Sequence, residues 1–262
     1  MSDTVRDRSN RRLELRIQLG AALCGPLFLA VYLVFWWGIA GFVPPLNPAF
    51  RPEEVTAWYR DNATGIRIGQ TGAIVSLGLL YAFWLDICLH IREIERSRGM
   101  RPFMYVMCLN AAILNFVILN TSSLAWLVCS WTDIGPGAVE SWQRFAWFTF
   151  FIPFPAYLIN VGTQGLAILM DDRPDPWLPR WVGYFCLMLV ATSATGVCVA
   201  IFDKGPLAWN GVIAFYVVLI GYALWVVLLG VMMTRSALRR LRAFEAAAGV
   251  STPAFPEVTV GG

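Results

Sequence analysis

Residues 209–234 read WNGVIAFYVVLIGYALWVVLLGVMMT and contain no acidic, basic or histidine residue. A helix that crosses the hydrocarbon core of a bilayer needs about 20 apolar residues, and this stretch exceeds that length. Because a backbone surrounded by lipid has to satisfy its own hydrogen bonds, the segment is expected to form a transmembrane helix.

The rest of the chain repeats this character in five further apolar segments, which cover residues 17–43, 66–91, 103–130, 145–170 and 181–202. Composition agrees, since 58% of the 262 residues are hydrophobic and 14% are charged, whereas a soluble domain has about 25% charged residues. The sequence therefore predicts an all-α fold, a polytopic membrane helix bundle with six transmembrane helices. The same composition argues against any nucleic-acid partner.

These spans divide the chain into three parts. Residues 1–16 form a basic N-terminal segment, residues 17–234 the six-helix transmembrane domain, and residues 235–262 a tail that is expected to be largely disordered after about residue 246. The apolar run behind the N-terminal arginines is longer than that of a cleaved signal peptide, so the first span is expected to be retained as an anchor.

The basic residues predict the orientation of the bundle. Six spans place both termini on one side of the membrane, and that side collects 15 of the 20 basic residues. The other side has only Arg51, Arg60, Arg67, Arg144 and Lys204. The excess of Lys and Arg on the cytoplasmic side predicts that both termini are cytoplasmic, in a plasma (inner) membrane.

A short external helix is expected in the loop after the first span. Residues 52–61 begin with proline and have two acids in the first turn, as a helix N-terminus favours. Val55, Trp58 and Tyr59 recur at the i, i+3, i+4 spacing of one apolar helix face. The stretch is interpreted as an interfacial helix on the outer leaflet, and a lid over an external opening is the alternative.

Polar side chains inside the spans are the candidate site residues. An ionisable group in a span is costly and is a functional candidate for that reason. Asp86 is clearly inside, and His90 lies four residues later on the same helix face, so the two form a candidate proton-carrying pair. The simpler alternative is an interfacial Asp86 that reaches water, with His90 among the lipid head groups. The candidates for ligand binding or proton transfer are Asp86, His90, Asn110, Asn115, Asn160 and Gln164. A similar depth predicts that Asp86, Asn110 and Gln164 line one pocket, while interhelical hydrogen bonding is the simpler alternative for the amides.

A pair of prolines and a pair of glycines predict two local features of the helices. Pro153 and Pro155 in the fourth span remove backbone donors and predict a helix kink, either alone or beside a cavity. Gly65 and Gly69 have the spacing of a close helix-packing motif.

Several classes of protein are excluded by what the chain lacks. It has a single histidine and six cysteines without a C-x-x-C pair, so a histidine-rich metal site or two-histidine haem ligation is excluded. It has no G-x-x-x-x-G-K-[ST], G-x-S-x-G or H-E-x-x-H sequence. The sequence indicates no cofactor and no metal site, and it favours a protein that is not an enzyme.

Three functions stay open at the level of sequence. The favoured hypothesis is binding or transport of a small hydrophobic or amphiphilic molecule through a pocket between helices, with membrane lipids as partners. The first alternative is a non-catalytic accessory or assembly subunit, paired with another membrane subunit or with a copy of itself. The second is a membrane enzyme that uses Asp86 and His90 as an acid–base pair.

Overall fold

The computed structural model describes the backbone of residues 3–247 and the side chains of residues 8–247. All regular structure in this part of the chain is helical. The helices are α1 (Asp3–Tyr32), α2 (Pro52–Asp61), α3 (Ala63–Ser97), α4 (Phe103–Cys129), α5 (Pro136–Phe151), α6 (Phe154–Met170), α7 (Arg180–Ser193) and α8 (Val218–Ala247). A π-helical segment, Leu33–Ile39, continues α1, and another, Val212–Val217, precedes α8.

In the part of the chain that the structure describes, six helical stretches are long and apolar enough to cross a membrane, which confirms the predicted number of spans. The fourth stretch consists of α5 and α6 together, and the fifth adds a 3₁₀ segment, Ala194–Ala200, to α7. Many large apolar side chains point away from the bundle, as lipid-facing side chains do. The chain is thus built as an integral membrane protein.

The helices are longer than the apolar segments that predict them. The fourth stretch begins at Pro136 rather than near residue 145, and α3 and α8 continue past their apolar runs to Ser97 and Ala247. Hydropathy detects the part of a helix that lies in lipid and misses polar turns that extend beyond it. The predicted tail from residue 235 is therefore helical as far as it is described, and the disorder expected after about residue 246 falls almost entirely outside the described residues.

The order of packing closes the bundle around one core. Helix α1 packs against both α3 and α8, α3 packs against α4, and α4 packs against α5 and α6. At one end of α1, the guanidinium of Arg12 donates to the Glu245 carboxylate of α8 at 2.7 Å. The first and last helices are consequently neighbours.

The core of one half of the bundle is an aromatic cluster. Trp36, Trp126 and Trp147 are fully buried, and their ring centroids lie 4.9–6.4 Å apart. Phe150 and Phe215 stack or tilt against the same indoles. Aromatic rings in such offset and edge-on arrangements bury large apolar areas and add a favourable quadrupole interaction.

The close-packing motif is used against the first span. A Cβ at Gly65 would lie 2.8 Å from the carbonyl oxygen of Ile39, and a Cβ at Gly69 would lie 2.5 Å from that of Phe35. Only glycine allows α3 to approach the π-helical segment Leu33–Ile39 so closely. This contact agrees with the helix-packing interpretation of the two glycines.

Helix α2 forms where the proline and the two acids predict it. Val55 and Tyr59 are buried and Trp58 packs beside them, so their shared face is turned to the bundle. The Tyr59 hydroxyl donates to the Gln143 amide oxygen of α5. Burial raises the pKa of Tyr59 well above its ordinary value, and the phenol therefore stays a donor at any physiological pH.

Candidate functional site

A cavity of about 120 Å³ lies at the break between α5 and α6. The helix stops at Phe151 and restarts at Phe154 because Pro153 has no N–H to donate. The two prolines thus interrupt the fourth span near its middle. Residues of α3, α4, α7 and the start of α8 complete the wall, so the cavity lies in the interior of the bundle.

Most of the wall is aromatic or aliphatic. Its apolar members include Ile118, Leu119, Phe150, Phe151, Phe154, Phe215, Val218 and Leu219. Phe150 and Phe215 also belong to the aromatic cluster, so one side of the cavity is backed by tightly packed rings. Such a wall favours an apolar occupant over water.

Three hydrogen-bond donors of the wall have no partner among the described residues. They are the Trp84 indole N–H, from a side chain only 3% exposed, and the hydroxyls of Tyr157 and Tyr222. A buried polar group without a partner costs free energy, so most such groups in proteins are paired with protein, water or ligand. The wall therefore offers three donors that an acceptor atom in the cavity could bind.

Asn115 is the one candidate amide of the sequence that lies in this wall. Its side-chain amide donates to the carbonyl oxygen of Ala156 at 3.3 Å, just after the break in the fourth span. The bond ties α4 to the first turn of α6. Asn115 consequently shapes the cavity and leaves its amide oxygen available.

Asp86 and His90 lie elsewhere, in a charged cluster at the end of the bundle that also holds the residue 98–102 loop. The Asp86 carboxylate is 3.9 Å from His90 Nε2, and Glu93 is 3.7 Å from His90 Nδ1. Glu93 in turn faces Arg173 at 3.7 Å and Arg240 at 3.3 Å. The cluster thus joins α3, the loop before α7, and α8.

The pocket expected among Asp86, Asn110 and Gln164 requires correction. Asn110 is exposed on the outside of α4 and donates to the Val106 carbonyl of its own helix. Asp86 is buried with one carboxylate oxygen unpartnered, and its neighbour is His90 rather than an amide of the third or fourth span. Equal depth does not fix the direction in which a side chain points around a helix, and the direction was wrong for Asn110.

Asn160 and Gln164 have the structural role that interhelical amides usually have. Asn160 donates to the Cys108 carbonyl of α4 at 3.2 Å and accepts from Gln164 at 3.0 Å. The first bond fastens α6 to α4, and the second holds the Asn160 side chain in place within α6. The Gln164 oxygen has no partner among the described residues.

Sequence reasoning missed Glu95, a fully buried carboxylate. It accepts from the backbone N–H of Met104 at 2.7 Å and from that of Tyr105 at 3.3 Å. The first N–H groups of a helix have no partner within the helix, and a negative charge there is favoured by the helix dipole. Glu95 therefore caps α4 from the end of α3.

In the acidic loop after α6, the Asp171 carboxylate is stabilised by hydrogen bonds within the protein. Burial alone raises the pKa of Asp171, but hydrogen bonds from the Arg173 guanidinium and from the Trp177 N–H lower it below its ordinary value. Trp177 in turn stacks on His90 with ring centroids 4.6 Å apart. Among residues 8–247, no group of three or more His, Cys, Asp or Glu side chains is arranged to hold a metal ion.

Comparisons with family models, with curated proteins and with solved structures give no match for this chain. Residues 3–247 themselves define the class, a membrane protein with six helices long and apolar enough to span a bilayer.

Proposed function

We propose that this protein binds a small, mostly apolar molecule with a hydrogen-bond-accepting oxygen in the cavity at the break in the fourth span. The observation that supports the proposal most directly is the set of three unpartnered donors, Trp84, Tyr157 and Tyr222, in an otherwise apolar wall. A carbonyl or ether oxygen would satisfy them, whereas a pure hydrocarbon would leave them unpaired.

Size limits the ligand to about one ring. A cavity of about 150 Å³ is enough for benzene; this one measures about 120 Å³ and is not fully enclosed, so the substituents of a ring can extend beyond it. The cavity lies near the middle of the spans, so its ligand is expected to reach it from the lipid phase. Uptake from lipid fits either a binding protein or a transporter of hydrophobic molecules.

Binding of 4-fluoroacetophenone tests this proposal. We expect the ketone to bind the full-length protein in nanodiscs more tightly than 1-ethyl-4-fluorobenzene, which has similar shape and no acceptor. Tyr222→Phe removes one donor with little change of volume and should weaken ketone binding by about three- to tenfold, the worth of one hydrogen bond. Fluorine NMR of the probe measures both affinities.

Tyr216→Phe is the matched control, because Tyr216 is half-buried in the π-helical segment Val212–Val217 and does not line the cavity. It should leave ketone affinity unchanged. Equal affinities for ketone and hydrocarbon, or equal losses in the two tyrosine variants, would show that the cavity donors do not recognise the ligand.

We further propose that both termini are cytoplasmic and that the membrane is the plasma (inner) membrane. The 15-to-5 distribution of basic residues supports this orientation. Helix α2 then lies outside, where its exposed residue Ala57 is open to solvent.

Cysteine labelling in intact cells tests the orientation. In a chain whose six native cysteines are replaced by alanine, Ala57→Cys should react with a membrane-impermeant maleimide without permeabilisation. Arg242→Cys, at an exposed position of α8, should react only after the cells are permeabilised. The opposite labelling pattern would show that the bundle has the reverse orientation in the membrane.

A second candidate function is proton transfer by Asp86 and His90. It is favoured by the unpartnered buried oxygen of Asp86 beside the imidazole, and the other charged groups around His90 and its neighbour Glu93 are Arg173 and Arg240. If the cluster carries a proton, ligand binding or transport should depend on pH. Asp86→Asn should remove that dependence while the protein stays folded, and a pH profile unchanged by Asp86→Asn would show that this pair does not carry the proton.

A further inference from the structure

A second cavity, of about 380 Å³, lies at the end of the bundle where α7 begins. Its wall combines the loop residues Asp175, Trp177 and Leu178 with Met232, Arg235 and Arg239 of α8. It is separate from the cavity at the break in the fourth span, since the two share no lining residue.

The cavity has an apolar floor and a charged rim. Trp177 and Leu178 are almost completely buried, and Met232 belongs to the apolar run that ends at residue 234. Arg235 and Arg239 follow that run directly. Basic residues at this position of a membrane helix lie at the level of the lipid phosphates, and basic pockets between helices bind lipid head groups.

The two arginines are placed to act together. They are four residues apart on α8, so their side chains leave the same helix face. Both are exposed, and neither takes part in the ion pairs that bind Arg173 and Arg240 to Glu93. Two guanidinium groups beside each other form a strong, directional site for a phosphate.

Asp175 adds an opposite charge to the same rim. It is exposed and lines the cavity together with the arginines. A carboxylate at this place disfavours a ligand that is purely anionic and favours one with an ammonium group next to its phosphate. An ammonium with N–H groups can also donate hydrogen bonds to the carboxylate, which a trimethylated ammonium cannot do.

We propose that this cavity is a binding site for one phospholipid with an ethanolamine head group. The phosphate lies between Arg235 and Arg239, the ammonium faces Asp175, and the upper part of the acyl chains lies over Met232 and Leu178. The charges on the rim thus select the head group, and the apolar floor selects a lipid over a free head group.

Native mass spectrometry of the full-length protein tests the proposal. The delipidated protein is titrated with phosphatidylethanolamine, phosphatidylglycerol or phosphatidylcholine of identical acyl chains, and separately with free phosphoethanolamine. We expect the first lipid to bind at least fivefold more tightly than the other two, and free phosphoethanolamine not to compete at the same concentration.

Variants assign the selectivity to the rim. The double substitution Arg235→Gln, Arg239→Gln should weaken phosphatidylethanolamine binding by at least tenfold, and Asp175→Asn should abolish its preference over phosphatidylglycerol. Arg242→Gln, an exposed arginine of the same helix outside the cavity, should change neither. All positions are exposed, and unchanged unfolding midpoints establish that the variants fold.

Three results would overturn the proposal. The first is equal binding of all three lipids, and the second is a phosphatidylethanolamine preference that survives Asp175→Asn. The third is full competition by free phosphoethanolamine, which would identify a soluble phosphate compound rather than a lipid as the ligand.

Discussion

Substituting Gly69 by valine is expected to lower the unfolding midpoint of the protein by about 6–12 °C. The Cβ of any larger residue at this position would lie within 3.0 Å of Phe35 and Ala40, and two of the three atoms it meets belong to the backbone. Helix α3 would have to move away from the π-helical segment that continues α1. Overpacking of this kind costs up to about 3 kcal/mol, and each kcal/mol shifts the midpoint of a chain this size by about 2–4 °C.

Gly78→Val is the control on the same helix. Gly78 is exposed, and a Cβ there meets nothing within 4 Å. Loss of glycine in a helix is favourable by itself, so this variant should match or exceed the wild type in stability. Thermal unfolding followed by tryptophan fluorescence in detergent compares the two, and equal midpoints would mean that the close contact at Gly69 does not contribute to stability.

Substituting Glu95 by alanine should destabilise the protein by about 2–4 kcal/mol. The change leaves the N–H groups of Met104 and Tyr105 without an acceptor in a place where Glu95 is fully buried. An unsatisfied buried donor costs about 1–3 kcal/mol. The free energy of opening measured by amide hydrogen exchange at residues 104 and 105 should fall by the same amount. Such a fall would show that the lost stability comes from the start of α4.

Glu95→Gln separates the hydrogen bonds from the charge. It keeps one acceptor oxygen for the N–H groups and removes the negative charge that the helix N-terminus favours. Its stability should fall between those of the wild type and Glu95→Ala. If both variants exchange amides 104 and 105 as slowly as the wild type, Glu95 is not the cap of α4.

The number of spans can be predicted from the sequence because a bilayer imposes one strong rule on every segment. In lipid, a run such as residues 209–234 can form only a helix. Glycines four residues apart, such as Gly65 and Gly69, predict close packing between helices. The helical residues 136–144 do not follow this rule, since they include Glu140 and Arg144, which pair with each other outside the apolar run.

The candidate site could not be predicted from the sequence, for a different reason. The cavity is formed by side chains from separate helices, and no local pattern states which faces will meet. Trp84, Tyr157 and Tyr222 look like ordinary membrane aromatics until their neighbours are known, and Asn110 looks like a buried amide although it points outward. Glu95 gave only one signal, an acid close to the start of the next helix.

The contact between α1 and α8 has a consequence for biosynthesis. A ribosome releases α1 first and α8 last, so one side of α1 stays without its native neighbour while the intervening spans are made. At about 5–20 residues per second this delay lasts roughly ten to forty seconds. During that time α1 can associate with α3 alone, and the finished ring of helices closes only when the final span leaves the translocation channel.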